Sequence, residues 1–431
     1  MKYIIDFFEI FYLLFNFVLI MNKTKASIVK WLAAIGPGLF LIGYNIGTGS
    51  VTTMAQTGAI HSMRFLWVLA LSCIFTYILM IAYGKTTLVS GKSALTLFRD
   101  RWKYGWLISL YILIALIIGE LLALMGIMGI VSDLIAEALI MIAGVAPPKW
   151  LIILLISIIF YYFIMKGKYS GFEKLLTFFV IIMGLSFSIV FLLVSPPSEE
   201  IIQGFIPQLG MEGASPGLIA AIAGTTCSAA VFIMRSTVLL EKGWNISQLK
   251  TEKRDALVSS IMMFLLSGLI MAVSAGTLYL MHQRVDSTLD LIHLFKPLGG
   301  TMGAIILIFG VASAGLSTVF PIVLIAPWLW SDYKGIKRDL HSPISRMMIL
   351  IAFVFAFGSV VLNQRPPALM IFSQAFQACI LPAVVIPIIL IINDNKTMKH
   401  HKIGPVMNVA LLAVLIFSLF TTWFAIKDLI N

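Results

Sequence analysis

The sequence predicts an all-helical protein that crosses a membrane many times, and three observations support this fold class. Of its 431 residues, 60% are hydrophobic and only 11% are charged, whereas a soluble domain carries about 25% charged residues. The apolar residues form runs of roughly 20 or more, the length that a helix needs to cross about 30 Å of hydrocarbon. Lys and Arg lie mostly between these runs, so membrane topology explains the net charge of +11 without a nucleic-acid partner.

The apolar runs predict eleven spans, short loops and no soluble domain. The spans are expected at 31–59, 65–90, 105–133, 150–166, 173–195, 215–241, 257–282, 300–330, 344–362, 367–393 and 405–427. Residues 3–20 are apolar as well, but Asp6 and Glu9 interrupt them. We interpret 1–30 as an N-terminal cytoplasmic or interfacial segment rather than as a signal peptide or a further span.

The distribution of basic residues predicts the orientation in the membrane. If the N-terminus is cytoplasmic, the inner loops are rich in Lys and Arg, as at 85–103, 242–254 and 334–346, and the outer loops hold few. The positive-inside rule therefore places the N-terminus inside, and eleven crossings place the C-terminus outside. The short loops suit a bacterial inner membrane.

Two spans contain small and polar residues near mid-depth, which indicates interrupted helices. The first span has Gly, Tyr, Asn, Thr and Ser at 43–50, and the sixth has Gly, Thr, Cys, Ser and Ala at 224–230. A continuous helix would lose about 1 kcal/mol for each Gly relative to Ala. Each break opens a five-span block, which predicts inverted repeats at 31–195 and 196–393, followed by the last span and C-terminus at 394–431. The alternative is that small residues merely allow close helix packing.

Other classes of function lack the residues that they need. Cys73, Cys227 and Cys379 lie far apart with no CxxC pair, so neither a disulfide framework nor a thiolate metal site is expected. We expect no cofactor. No acid pair or nucleophile beside a base lies at membrane depth, and no ring of charges lines a pore, so we expect neither an enzyme nor a channel.

Several segments resemble the NRAMP family of proton-coupled divalent-metal transporters. The similarity begins at Gly36-Pro37-Gly38, runs to Ala59, and continues through 169–175, the start of the sixth span and 373–382. It covers about residue 30 to the end. The resemblance implies a LeuT-like fold, a 5+5 inverted repeat with an eleventh helix in which helices 1 and 6 are interrupted.

The metal-binding motifs of the family are not retained. The family's Asp-Pro-Gly-Asn falls on residues 47–50, so Gly47 replaces the carboxylate and Ser50 the amide. Its Met-Pro-His-Asn falls on 228–231, so Ser228 replaces the thioether. Of the family's ligands, the resemblance leaves Gln374. Because a divalent ion needs charged oxygen ligands, we expect no metal site.

The two breaks and the tenth span supply the candidate substrate site, which is built from neutral hydrogen-bonding groups and one aromatic ring. Its expected members are Tyr44, Asn45, Gly47, Thr48, Ser50, Thr225, Thr226, Ser228, Phe232 and Gln374. Such groups suit an uncharged polyhydroxylated solute. We therefore predict proton-coupled symport of a hexose. The alternatives are transport of Mg²⁺ or Mn²⁺, or a membrane sensor that does not transport. The expected partners are the solute and the lipid bilayer, with no obligate protein partner.

Two charged residues are candidates for proton coupling. Glu120 lies in an apolar stretch of the third span, where a carboxylate suggests function, and the resemblance places it on the family's proton route. Ile117 replaces a second family acid, and Arg235 stands at the position of a family histidine linked to that route. The structural alternatives are a Glu120–Arg235 ion pair, or an Arg235 side chain that reaches the surface.

Overall fold

The computed structural model describes residues 44, 46–166, 169–207, 216–291, 300–362 and 365–430. In this part of the chain the fold consists of helices and connecting turns, with no strand. The predicted segment at 1–30, the first half of the first span and Asn45 lie outside the described residues.

The helices are numbered in chain order. They are α1 (Thr48–His61), α2 (Leu66–Ser90), α3 (Ala94–Arg101), α4 (Gly105–Ala143), α5 (Lys149–Lys166), α6 (Tyr169–Val194), α7 (Ser198–Gln203), α8 (Pro216–Thr226), α9 (Ala229–Glu241), α10 (Leu249–Ser274), α11 (Gly300–Lys334), α12 (Pro343–Phe355), α13 (Gly358–Val361), α14 (Pro366–Ile392), α15 (Asn395–Met398) and α16 (Pro405–Ile430).

Nine helical segments within the described residues are long and apolar enough to cross a membrane. They correspond to the second to fourth and the sixth to eleventh predicted spans. The first and fifth predicted spans correspond to α1, which has 14 residues, and to α6, whose apolar stretch is Ile181–Val194. The chain is thus a multi-pass membrane protein. Large apolar side chains such as Val354 and Val406 are exposed, as expected where helices face lipid.

The sixth span is broken, as the sequence predicts. α8 ends at Thr226, Ser228 has extended backbone angles (φ −69°, ψ 131°), and α9 starts one residue later. A Cβ on Gly224 would overlap the backbone carbonyl of Gln374. The small residues before the break therefore allow α8 to pack directly against α14.

The first span is also irregular at the predicted position. Ile46 and Gly47 form a bend, and α1 starts at Thr48. Farther along α1, a Cβ on Gly58 would overlap the carbonyl of Met271 on α10. α1 therefore lies close to α10, with its starting residues in the centre of the bundle.

Two predicted boundaries are wrong. α4 continues to Ala143, beyond the predicted end at 133, and Gly144 ends it in the left-handed conformation (φ 67°). α10 starts at Leu249 rather than at 257, so Glu252 and Asp255 lie within the helix and are buried. These two acids change the interpretation of Arg235.

Candidate functional site

A small polar cavity lies where the start of α1 and the break between α8 and α9 meet α4, α11 and α14. Its volume is about 20 Å³, enough for one water molecule or small ion. We call it the central cavity. Its lining residues are Tyr44, Gly47, Gly49, Glu120, Ala123, Ile127, Thr225, Ser228, Thr318, Ile322, Met370, Gln374 and Gln377.

Glu120 supplies the carboxylate of the central cavity. It lies on α4, its exposed fraction is 4%, and Tyr44 and Gln377 both donate hydrogen bonds to its Oε1 atom. A buried carboxylate is costly unless hydrogen bonds or a cation compensate it. The sequence placed Glu120 on a proton route, whereas the structure brings it into the wall of the predicted substrate site.

Gly47 has no room for a side chain. A Cβ at this position would overlap the side chain of Thr318 from α11. Thr318 thus fills the space that the family's aspartate would need, while its hydroxyl donates to the carbonyl of Ala314 at 2.8 Å.

Met370 and Gln374 of α14 also line the cavity, beside the start of α1. A Cβ on Gly49 would lie 2.6 Å from Nε2 of Gln374 and 2.9 Å from Cε of Met370. A methionine side chain therefore lines the cavity, although it comes from α14 and not from the sixth span. Met370 and Thr318 could not be identified from the sequence, because each lies in a long apolar helix with no local signal.

The structure brings together about half of the predicted substrate-site residues. Tyr44, Gly47, Thr225, Ser228 and Gln374 line the central cavity. Their role in binding stays a prediction.

The other predicted residues lie elsewhere or are not described. Ser50 bonds with Ser267 of α10 at 3.0 Å, and Phe232 stacks on Tyr83 with ring centroids 5.9 Å apart. The carbonyl of Thr226 accepts a hydrogen bond from Thr76 at 2.9 Å. Asn45 and the side chain of Thr48 lie outside what is described.

Arg235 does not pair with Glu120. It lies on α9 with no exposed surface and forms ion pairs of 3.1 Å with Glu252 and 2.5 Å with Asp255, both on α10. Both structural alternatives offered for Arg235 are therefore wrong, since it neither pairs with α4 nor reaches the surface. The three-residue spacing of Glu252 and Asp255 places them on one helical face. This spacing would have indicated a shared partner if the seventh span had been predicted to start before Glu252. A role for Arg235 in proton coupling stays a prediction.

Within the described residues, no group of three or more His, Cys, Asp or Glu side chains could hold a metal ion. A cation in the central cavity would meet one carboxylate, neutral oxygens and the side chain of Met370. Oxygen ligands of this kind suit Mg²⁺ or Mn²⁺.

The fold and the polar cavity between two helix breaks define the class of LeuT-fold membrane transporters. Within that class, the chain belongs to the Nramp family: the family model described as "Natural resistance-associated macrophage protein-like" matches residues 38–426. The resemblance seen in the sequence is thus confirmed, and members of this family are transporters.

Alignments with curated relatives cover most of the chain, and the sequence identity is low. The divalent metal cation transporter MntH of Pediococcus pentosaceus is 23% identical over 408 residues, which cover 85% of each chain. The metal transporter Nramp6.2 of Populus trichocarpa is 24% identical and covers 88% of this chain and 71% of its own.

Solved structures show the same fold. A single-residue mutant of the Eremococcus coleocola manganese transporter has a TM-score of 0.71 at 16% identity, covering 92% of this chain and 86% of its own. Mhp1, a nucleobase-cation-symport-1 family transporter, has a TM-score of 0.63 at 14% identity, covering 91% and 92%.

The prediction of hexose symport is wrong. The relatives are named as metal transporters, which agrees with the alternative that the sequence analysis left open. The physical reason is that the sequence shows the lost ligands of helices 1 and 6, whereas the position of Glu120 in the cavity depends on how α4 packs against the two breaks.

Proposed function

We propose that the chain transports a divalent metal cation, Mg²⁺ or Mn²⁺, through the central cavity. The observation that carries this proposal is the position of Glu120, whose buried carboxylate lies in the wall of an otherwise neutral cavity. The similarity to relatives named as divalent metal cation transporters supports it.

In this proposal the negative charge comes from helix α4 instead of the first span. Thr318 occupies the space beside Gly47, so the charge must reach the cavity from another helix. Tyr44 and Gln377 hold the carboxylate in place when no cation is bound. Ser228, Thr225 and the Gln374 amide would contribute neutral oxygens, and Mg²⁺ would keep several of its waters.

Transport would follow alternating access around the two helix breaks, as in transporters with discontinuous helices. We further propose a bacterial inner membrane as the location, with the N-terminus inside, because the loops at 85–103 and 334–346 are basic. Proton coupling through Glu120 also stays a proposal. Uptake measured with and without an inward proton gradient tests it.

The decisive experiment compares uptake of Mn²⁺ and Mg²⁺ into proteoliposomes by the natural chain and by Glu120→Gln. The amide keeps the size of the side chain and removes its charge. Since removing one partner of a buried charge pair costs about 3–5 kcal/mol, we expect the apparent affinity for the cation to fall about 100-fold or more.

The matched control is Asp133→Asn on the same helix. Asp133 pairs with Lys149 at 2.6 Å and is not among the lining residues of the central cavity, so uptake should be unchanged. Equal uptake by the natural chain and Glu120→Gln, with both variants folded, would overturn the proposal.

A further inference from the structure

A second pocket shares Glu120 and Ile322 with the central cavity and lies between α4, α11 and α12. It has a volume of about 180 Å³. We call it the lateral pocket. The described residues that line it are Ile117, Glu120, Leu121, Ile322, Ile325, Ala326, Met348, Ile351 and Ala352.

The lateral pocket combines apolar walls with a single ionisable group. Eight of its nine described lining residues are apolar, and the ninth is Glu120, which also lines the central cavity. An apolar pocket with one acidic residue in its wall is complementary to an apolar chain that ends in a cation, because pairing offsets the cost of the buried charge.

Residues in and beside the wall of the lateral pocket are exposed on the lipid-facing surface of the helices. Ile351 in its wall has an exposed fraction of 43%, and on α4 Ile118 has an exposed fraction of 46%. Glu120 lies about 22 Å along α4 from Gly105 at 1.5 Å per residue, deep within a hydrocarbon layer about 30 Å thick. A phospholipid headgroup stays at the interface, whereas a primary amine enters the hydrocarbon in its neutral form. It becomes the ammonium by taking the proton of a protonated Glu120 carboxyl, which leaves the carboxylate that pairs with it.

We propose that the lateral pocket binds a linear primary alkylammonium, with its nitrogen at Glu120 and its chain between α4, α11 and α12. Bound there, the ammonium pairs with the carboxylate of Glu120, which also lines the central cavity. An alkylamine therefore inhibits cation transport from the membrane side. The inhibition rests on the proposed function, whereas binding to the pocket does not.

The first test is equilibrium binding of radiolabelled n-hexylamine to the full chain in lipid nanodiscs, with empty nanodiscs subtracted. Ala326→Leu fills the lateral pocket without changing a residue of the central cavity, and we expect it to weaken binding at least ten-fold. Val354→Leu, which changes a lipid-facing residue of α12 with an exposed fraction of 70%, should leave binding unchanged. If Ala326→Leu does not fold, Ala352→Leu replaces it.

The chemistry of the ligand provides the second test. In a series of n-alkylamines, each added methylene should tighten binding about four-fold until the pocket is full. 1-Hexanol has the same chain without the charge and should compete at least ten-fold more weakly. Equal competition by the alcohol would show a lipid chain site and overturn the proposal, as would amine binding that ignores both pocket-filling variants.

The third test separates this proposal from the proposed function. Hexylamine should inhibit Mn²⁺ or Mg²⁺ uptake by the natural chain and by Val354→Leu, but not by Ala326→Leu. If hexylamine binding depends on the lateral pocket but the chain transports neither cation, the binding inference stands and the proposed function is wrong. If hexylamine binds in the lateral pocket but cation uptake is unchanged, the proposed inhibition is wrong.

Discussion

Gly47 shows how one residue limits the chemistry of the central cavity. The space beside it belongs to the side chain of Thr318, whose hydroxyl is held by the carbonyl of Ala314. A carboxylate therefore cannot enter from position 47 without displacing the side chain of Thr318. Glu120 reaches the same cavity from α4, so the loss of an acid at one position does not mean that the site has no acid.

The first prediction concerns Gly47→Ala. The added methyl group would overlap Thr318, and over-packing of this kind costs about 1–3 kcal/mol of stability. We expect a lower thermal unfolding temperature for the purified protein. Thr318→Ala in the same chain should recover part of the loss, because it removes the hydroxyl and methyl groups that the new Cβ would meet.

Gly404→Ala is the matched control for this variant. A Cβ at Gly404 meets no atom within 4 Å, so its unfolding temperature should equal that of the natural chain. An unchanged unfolding temperature for Gly47→Ala would show that the start of α1 does not lie against Thr318.

At the scale of helices, a buried cluster of three charges joins α9 to α10. Arg235, Glu252 and Asp255 each have an exposed fraction of 1% or less, and their ion pairs connect the second half of the broken helix to its neighbour. Charges buried in this way are tolerated only while they remain paired.

The second prediction is that Arg235→Met destabilises the protein by about 3–5 kcal/mol, since two buried carboxylates lose their cation. Arg235→Met combined with Glu252→Gln and Asp255→Asn should recover most of this stability. Thermal unfolding in detergent measures both. Lys92→Met breaks a surface pair with Asp100 and should change stability by less than about 1 kcal/mol. If Arg235→Met alone is as stable as the natural chain, the buried ion pairs of Arg235 are contradicted.

These helices also show what a sequence can and cannot predict. Hydropathy is a local property, so the long apolar spans could be located, and the small residues before Ser228 indicated the break between α8 and α9. The start of α10 was missed because Glu252 and Asp255 look like loop residues until Arg235 of another helix is placed beside them. The predicted lining of the central cavity was incomplete for the same reason. Thr318 and Met370 line it only because of the faces that α11 and α14 turn toward it.

At the scale of the whole molecule, contacts between distant loops define two ends. At one end, Lys85 donates to the carbonyl of Lys402 at 3.1 Å, and Arg101 pairs with Asp394 at 2.7 Å. The guanidinium of Arg101 holds the pKa of the Asp394 carboxyl well below its usual range.

Arg99 donates a hydrogen bond to the carbonyl of Tyr333. The loop after α11 therefore lies at the same end as Lys85 and Arg101. At the opposite end, Ser62 donates to Glu200, and the backbone N–H of Val285 donates to Gln56 at 2.8 Å. The basic segments at 85–103, 333–338 and 394–402 therefore share one end of the molecule.

The third prediction is that the end with the basic loops faces the cytoplasm, because basic loops are retained on that side during insertion. In a chain with its three cysteines replaced by serine, Lys337→Cys and Arg284→Cys place single thiols at exposed positions of the two ends. A membrane-impermeant maleimide added to intact cells should label the thiol at position 284 and should label position 337 only after the membrane is opened. Labelling in the reverse order would invert the topology, and with it the side from which a cation enters the central cavity.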